Sequence, residues 1–245
     1  MRFATPAAAC LLLVAVPTLA LPAPAAAQQQ DATVLHWWHG AVAIGGLSAL
    51  MLLDHPVQRF SQDNRGTGSA NVASFVRHFG QPEVYGTMTA GLIVAGLATH
   101  HDRVARLGAR MGVSLLLAGA ANQGAKLAFG RPRPDQSLDA DGYNPFSGQA
   151  SMPSGHTAMA FAWATTLADE IHHPLATVGL YGLATTVGWS RINDNRHWLS
   201  DVAAGALVGF ASAKLASGRW RIFNIRAPGL VATPSGMGLG WQASF

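Results

Sequence analysis

The sequence predicts an all-α protein: a single bundle of about six helices, ending in a short irregular or β-hairpin tail. Three observations lead there. Hydrophobic residues make up 49% of the 245 and charged residues only 11%, against roughly 25% charged in ordinary soluble domains. The apolar stretches have helical lengths, are rich in Ala, Leu and Gly, and show no strand-like alternation before the tail. Polar turns separate them, and no internal repeat appears.

Residues 1–27 read as an export signal. Arg2 gives the positive start, Ala7 to Ala20 the apolar stretch, and Ala25 to Ala27 a small-residue cleavage site. Pro17, Pro22 and Pro24 interrupt the helix that a spanning anchor would need. The expected location is therefore the periplasm or cell envelope. The single cysteine, Cys10, lies in this segment, so a processed chain has no thiol or disulfide chemistry.

The helical domain is expected over 28–217, with helices near Val34–Leu53, Val84–His100, Val104–Phe129, His156–Ile171, Leu175–Ser190 and Trp198–Ala216. Val34–Leu53 and Val84–Thr99 contain no Asp, Glu, Lys or Arg and approach the ~20 residues of a membrane crossing. The stretches after His156 and Trp198 fit buried helices of a soluble bundle equally well. Residues 218–245 are punctuated by Gly and Pro and form the tail.

The formal charge of +4 is modest, and no Lys/Arg block of nucleic-acid type occurs. Any anion handled here must be met by a few placed cations. Three clusters qualify. In "SRINDNRHWLSD", His197 and Asp201 are four apart and share a helix face. The carboxylate can accept the Nδ1 proton and leave Nε2 as nucleophile or base, with Arg191 upstream to hold an anion. In "SMPSGHTAMAF", Ser154 reads as an N-cap and Gly155 as the first helical residue. His156 then stands at a helix start whose N–H groups suit anions. In "KLAFGRPRP", prolines stiffen a turn that presents Arg131 and Arg133, with Lys126 as a further charge. Taken singly, these are equally a surface ion pair, an ordinary cap and a positive helix end.

Taken in order, Lys126-x6-Arg133-Pro134, Pro153-Ser154-Gly155-His156 and Ser190-Arg191-x5-His197-x3-Asp201 resemble the three-part signature of the type 2 phosphatidic acid phosphatase / vanadium haloperoxidase superfamily. The resemblance is specific over Lys126 to Gly205 and does not cover the tail. It implies an acid phosphatase/haloperoxidase-like helical bundle. It also implies a metal-independent phosphatase in which His197 attacks phosphorus, Asp201 orients its ring and His156 protonates the leaving oxygen. Lys126, Arg133, Ser154, Gly155 and Arg191 would hold the phosphate oxygens. Arg131 falls outside the matched positions and is expected to be structural or on the rim.

The expected substrate is a lipid phosphate at a membrane, with no metal or other cofactor and vanadate as an inhibitor or transition-state mimic. Three alternatives share these residues: a broad-specificity soluble periplasmic acid phosphatase, a vanadate-dependent haloperoxidase, and a non-catalytic phosphate-binding membrane protein. His36 and His39 supply too few ligands for zinc and, beside Trp37 and Trp38, suit an interfacial belt.

Overall fold

Proline and glycine set several of the helix limits. The computed structural model describes residues 32–222 and the backbone of 229–233 and 236–240; the export-signal expectation for 1–27 lies outside the described residues. Strand β1 (Thr33–Leu35) leads into α1 (Trp37–Met51), α2 (Asp54–Asp63), α3 (Thr67–Val76) and a 3-10 turn at Arg77–Gly80. Next come α4 (Pro82–Ala98), α5 (Asp102–Phe129), α6 (Gly155–Ile171), α7 (Pro174–Asn193) and α8 (Leu199–Ala216). Pro82 and Pro174 open α4 and α7, where a missing N–H costs nothing. Gly130 closes α5 in the left-handed region at φ 53° and donates its N–H to Lys126 O at 2.9 Å.

Helix α6 is the centre of the packing. Ala158, Ala160, Ala162, Ala164 and Ala168 are all buried. Alanine has no rotamer freedom to lose, and its small volume lets α5, α7 and α8 close around α6. Tyr85, Ala160, Ala164, Ala184 and Val187 form the buried apolar cluster. The α6–α8 crossing brings backbone against backbone. A Cβ on Gly205 would stand 2.4 Å from Ser154 O, and one on Gly209 would stand 2.2 Å from Ala158 O. These two glycines lie one turn apart on one face of α8, so the middle of α8 is held against the first turns of α6.

The helix count differs from the expectation. Among the described residues there are eight α-helices, the additional two being α2 and α3. Both are only ten residues long, too short to register in a search for long apolar stretches. Val34 and Leu35, expected at the start of a helix, instead form a strand that pairs in parallel with β2 (Trp220–Ile222). Thr33 N–H also reaches Arg219 O at 2.9 Å. The tail takes the hairpin form, with β3 (Gly229–Thr233) antiparallel to β4 (Gly236–Gly240).

Among the described residues, the single helices long and apolar enough to cross a membrane are α5 and α8, each with a window of mean hydropathy 1.3. Of the two charge-free stretches, α1 has 15 residues and α4 has 17. Helix α1 reaches spanning length only with α2, across a bend of 47°.

Gly209→Leu should drive α8 away from Ala158 and Ala162. Overpacking of this kind costs about 1–3 kcal/mol, and a thermal melt followed by circular dichroism should show the lowered midpoint.

Candidate active site

The site begins where α5 ends. A Cβ on Gly130 would fall 1.7 Å from Asn144 O, so the reversal after Lys126 needs glycine. The turn that follows points its two arginines differently. Arg131 is wholly buried. It donates from Nε to Ala140 O at 2.7 Å, from Nη1 to Asp201 Oδ1 at 2.6 Å and to Ser200 Oγ at 2.7 Å, and from Nη2 to Asp54 Oδ2 at 2.6 Å. Of the two expectations for it, the structural role holds and the rim position does not. Arg133 is half-buried, and its guanidinium has no carboxylate or hydrogen-bond partner among the described residues. Lys126 donates to Ala150 O and pairs with no carboxylate among the described residues.

Asp201 occupies the third position of α8. Its Oδ2 accepts the Trp198 N–H at 3.0 Å and the Ser151 hydroxyl at 2.5 Å. The N–H groups at a helix start have no intrahelical acceptor, so this carboxylate completes the end of α8 while facing the site. His197 immediately precedes the Trp198 cap and is 4% exposed. Its Nδ1 lies 3.5 Å from Asp201 Oδ2 and has no other partner. That distance is an ion-pair approach, longer than a good hydrogen bond. Nδ1 faces the carboxylate.

Helix α6 starts at Gly155 with Ser154 at the cap. The Ser154 hydroxyl is fully buried and accepts from Thr157 Oγ1 at 3.0 Å, so it does not cap its own helix. The Ser154 N–H donates to Asp201 O at 2.9 Å. The Pro153 carbonyl is held by Asn122 Nδ2 of α5 at 3.2 Å. Behind His156, a Cβ on Gly80 would come within 2.9 Å of the His156 Cβ, so the 3-10 turn forms a close wall for this side chain.

Arg191 lies in the last turn of α7 and is 8% exposed. Its Nη1 donates to Asp194 Oδ2 at 3.2 Å, while Nε is buried without a partner. Asp194 also approaches Arg65 at 3.8 Å and Arg77 at 3.7 Å. Helix α2 covers this end of α7, through Gln58 Nε2 on Asn195 Oδ1 at 2.9 Å and Gln62 Nε2 on Ile192 O at 3.2 Å.

The predicted site residues gather in one place. The charges of Arg191, His197, Lys126 and Arg133 all act on His156, those of Arg133 and Asp201 act on Lys126, and that of Arg133 acts on Arg191. Ser154 and Gly155 join them through the contact between the α6 and α8 starts. Asp54, Ser151, Ser200 and Asn122 were not singled out from the sequence. A lone Asp after an apolar stretch, two serines and an Asn carry no spacing signal. Only the scarcity of charge hints that Asp54 has a buried partner.

Both imidazoles are held below their ordinary range. His156 is lowered from 6.5 to about 3, first by burial and then by the charges of Arg191, His197, Lys126 and Arg133. His197 is lowered by burial, with Asp201 opposing.

A helical bundle whose α5 to α8 gather two imidazoles held below their ordinary range and cations without carboxylate partners among the described residues defines a class of site suited to a tetrahedral oxyanion. Residues 107–223 match the model of the PAP2 superfamily, the group that the three sequence motifs resemble. A lipid A 1-phosphatase of Porphyromonas gingivalis is 44% identical over 107 residues, 43% of this chain and 21% of that protein. A lipid A 1-phosphatase of Rhizobium etli is 32% identical over 111 residues, 43% of this chain and 47% of that protein. Each match spans less than half of the relative's length. Two solved structures share the fold. LpxE of Aquifex aeolicus has a TM-score of 0.54 at 23% identity, over 67% of this chain and 94% of that chain. The first transmembrane PAP2 type phosphatidylglycerolphosphate phosphatase from Bacillus subtilis has a TM-score of 0.53 at 19% identity, over 73% and 94%.

The lowered histidines have a consequence for stability. In the unfolded chain imidazole titrates near 6.5, whereas folded His156 resists protonation down to about 3. The stability this contributes is complete above pH ~6.5 and is lost as pH falls toward the folded value. Thermal midpoints should therefore drop between pH 7 and pH 5, and His156→Asn should reduce that drop.

Proposed function

We propose that the protein is a metal-independent phosphatase that hydrolyses phosphate monoesters or diphosphates on lipids through a phosphohistidine. The observation that carries this reading is the set of cations, Lys126 and Arg133 without carboxylate partners and Arg191 with an unpartnered buried Nε, gathered about His156 and His197. Unpaired positive charge in a protein this poor in charge calls for an anion. The lipid assignment is supported by the names of the curated relatives and by exposed Trp37, Leu52, Phe60, Phe75, Leu175 and Val178 on the outer surface. An exported protein of the cell envelope fits both.

In this mechanism the phosphoryl group sits among Lys126, Arg133, Arg191, the Ser154 hydroxyl and the Gly155 N–H. His197 keeps its proton on Nδ1, toward Asp201, and attacks phosphorus with the Nε2 lone pair. The P–O bond to the leaving group breaks, and His156 gives that oxygen its proton. His156 is neutral in the empty site because of burial and its cationic neighbours. A bound phosphate brings negative charge among those cations and favours the protonated ring. In the second half, neutral His156 takes a proton from water, the water oxygen attacks phosphorus, and the P–N bond breaks to release inorganic phosphate and His197. The cations stabilise the equatorial oxygens throughout, so the reading requires no metal.

The test is phosphate release from a panel of lipid and soluble phosphates, in detergent, with a chelator present. Activity should survive the chelator and be inhibited by vanadate. His197→Ala should abolish turnover, and His156→Ala should cost about 10²–10⁴-fold, less for substrates with good leaving groups. Full activity in His197→Ala would refute the phosphohistidine. Equal turnover of soluble esters, with no gain from lipid or detergent, would favour a soluble acid phosphatase.

A further inference from the structure

Behind the residues that would touch phosphate lies a second, completely buried charged system. Asp54, Arg131, Ser151, Ser200 and Asp201 are each 0% exposed. Asp54 uses both oxygens on the start of α8: Oδ1 accepts the Ser200 N–H at 2.8 Å, and Oδ2 accepts the Ser200 hydroxyl at 2.6 Å. Arg131 lies between the two carboxylates with one nitrogen on each. Its guanidinium is 5.6 Å from the ring centroid of Trp198, the residue after His197, and the Trp198 indole donates to Pro132 O at 3.1 Å. On the α8 side of His197, both the indole and the backbone N–H of Trp198 are thus held by groups of the Arg131 system, Pro132 O and Asp201 Oδ2.

We propose that Arg131 and Asp54 are positioning residues for His197: together they fix the Asp201 carboxylate and the first turn of α8, so that His197 is held with Nδ1 toward Asp201 and Nε2 toward the site. This rests on the phosphohistidine reading only for its effect on turnover; the effect on the ring stands by itself. Two carboxylates this deeply buried require one shared cation, and a planar fork with a nitrogen for each can clamp both at fixed separation. An ammonium is a point donor and cannot span them in the same way. Asp201 donates nothing of its own, and its orientation comes from the donors around it. Arg131 supplies the one donor to Oδ1, which leaves Oδ2 for Ser151, Trp198 and His197.

The probe is the full chain in detergent micelles, with ¹⁵N-labelled histidine and the His197 signal assigned by its loss in His197→Ala. The double variant Asp54→Asn/Arg131→Gln removes one negative and one positive charge, so the net charge of the buried system is unchanged. Wild type should show His197 as the Nδ1-protonated tautomer, and the double variant a mixture of tautomers. Supporting partners of this kind typically matter by about 10–100-fold, so kcat should fall by about that factor. KM should stay within about threefold, because the phosphate-holding groups are untouched. Arg131→Lys should fall between the two. A double variant that is folded by circular dichroism and keeps the wild-type tautomer overturns the proposal, whatever its activity. If the double variant does not fold, Arg131→Lys and Ser200→Ala carry the same readout. Should His197→Ala keep full turnover, the phosphohistidine reading fails, and the tautomer measurement still decides this one.

Discussion

A carboxylate can organise several donors at once, and Asp201 uses both of its oxygens and its carbonyl to do so. Its side chain accepts from Arg131, Ser151 and Trp198, and its backbone oxygen from Ser154. Three separate segments are thereby tied to one residue: the turn after α5, the cap of α6 and the first turn of α8. A buried ion pair of this kind is not a source of net stability, since desolvation offsets most of the attraction. Its value lies in excluding alternatives. Removing one partner strands a charge in the interior, at a cost of about 3–5 kcal/mol, and competing packings of these segments incur a similar cost.

The site itself has the opposite character. Where the Asp54–Arg131–Asp201 system is saturated with partners, among the described residues Lys126 and Arg133 have no counter-ion, and the Nε of Arg191 is left unpaired. Two electrostatic regimes therefore lie next to each other, one satisfied and rigid, the other unsatisfied and receptive. The second depends on the first. Unpaired cations would relax toward any nearby carboxylate, and the two acids whose charges act on Lys126 and Arg191, Asp201 and Asp194, are already engaged with Arg131 and with three arginines respectively.

Much of this was legible in the sequence because motif spacing and helix periodicity carried it. The three clusters mark helix ends, and helix ends are where backbone and side-chain charges collect, so Gly155 and Ser154 were placed at the start of α6 from residue types alone. Two kinds of feature escaped. Helix α2 is polar and α3 is only ten residues of small and apolar side chains, so neither shows the long apolar stretch that betrays a buried helix; both pack against α7. Strand β1 is only three residues long and pairs with a segment far along the chain, a contact that no local pattern announces. The sequence leaves Arg131 open between a structural role and the rim for a related reason. It sits two residues from Arg133, and nothing in "GRPRP" says that one guanidinium turns inward to find Asp54, far away in sequence.

Asp54 lies well before residue 107, where the match to the superfamily begins. Yet its carboxylate bonds directly to Ser200 and Arg131, inside the matched part. The N-terminal helices are thus no detachable cover over a self-sufficient catalytic unit. A chimaera that grafts residues 107–223 onto foreign leading helices would inherit every group proposed to touch phosphate, and would still leave an interior arginine short of one of its two anions. Modularity in this chain ends at a single buried aspartate.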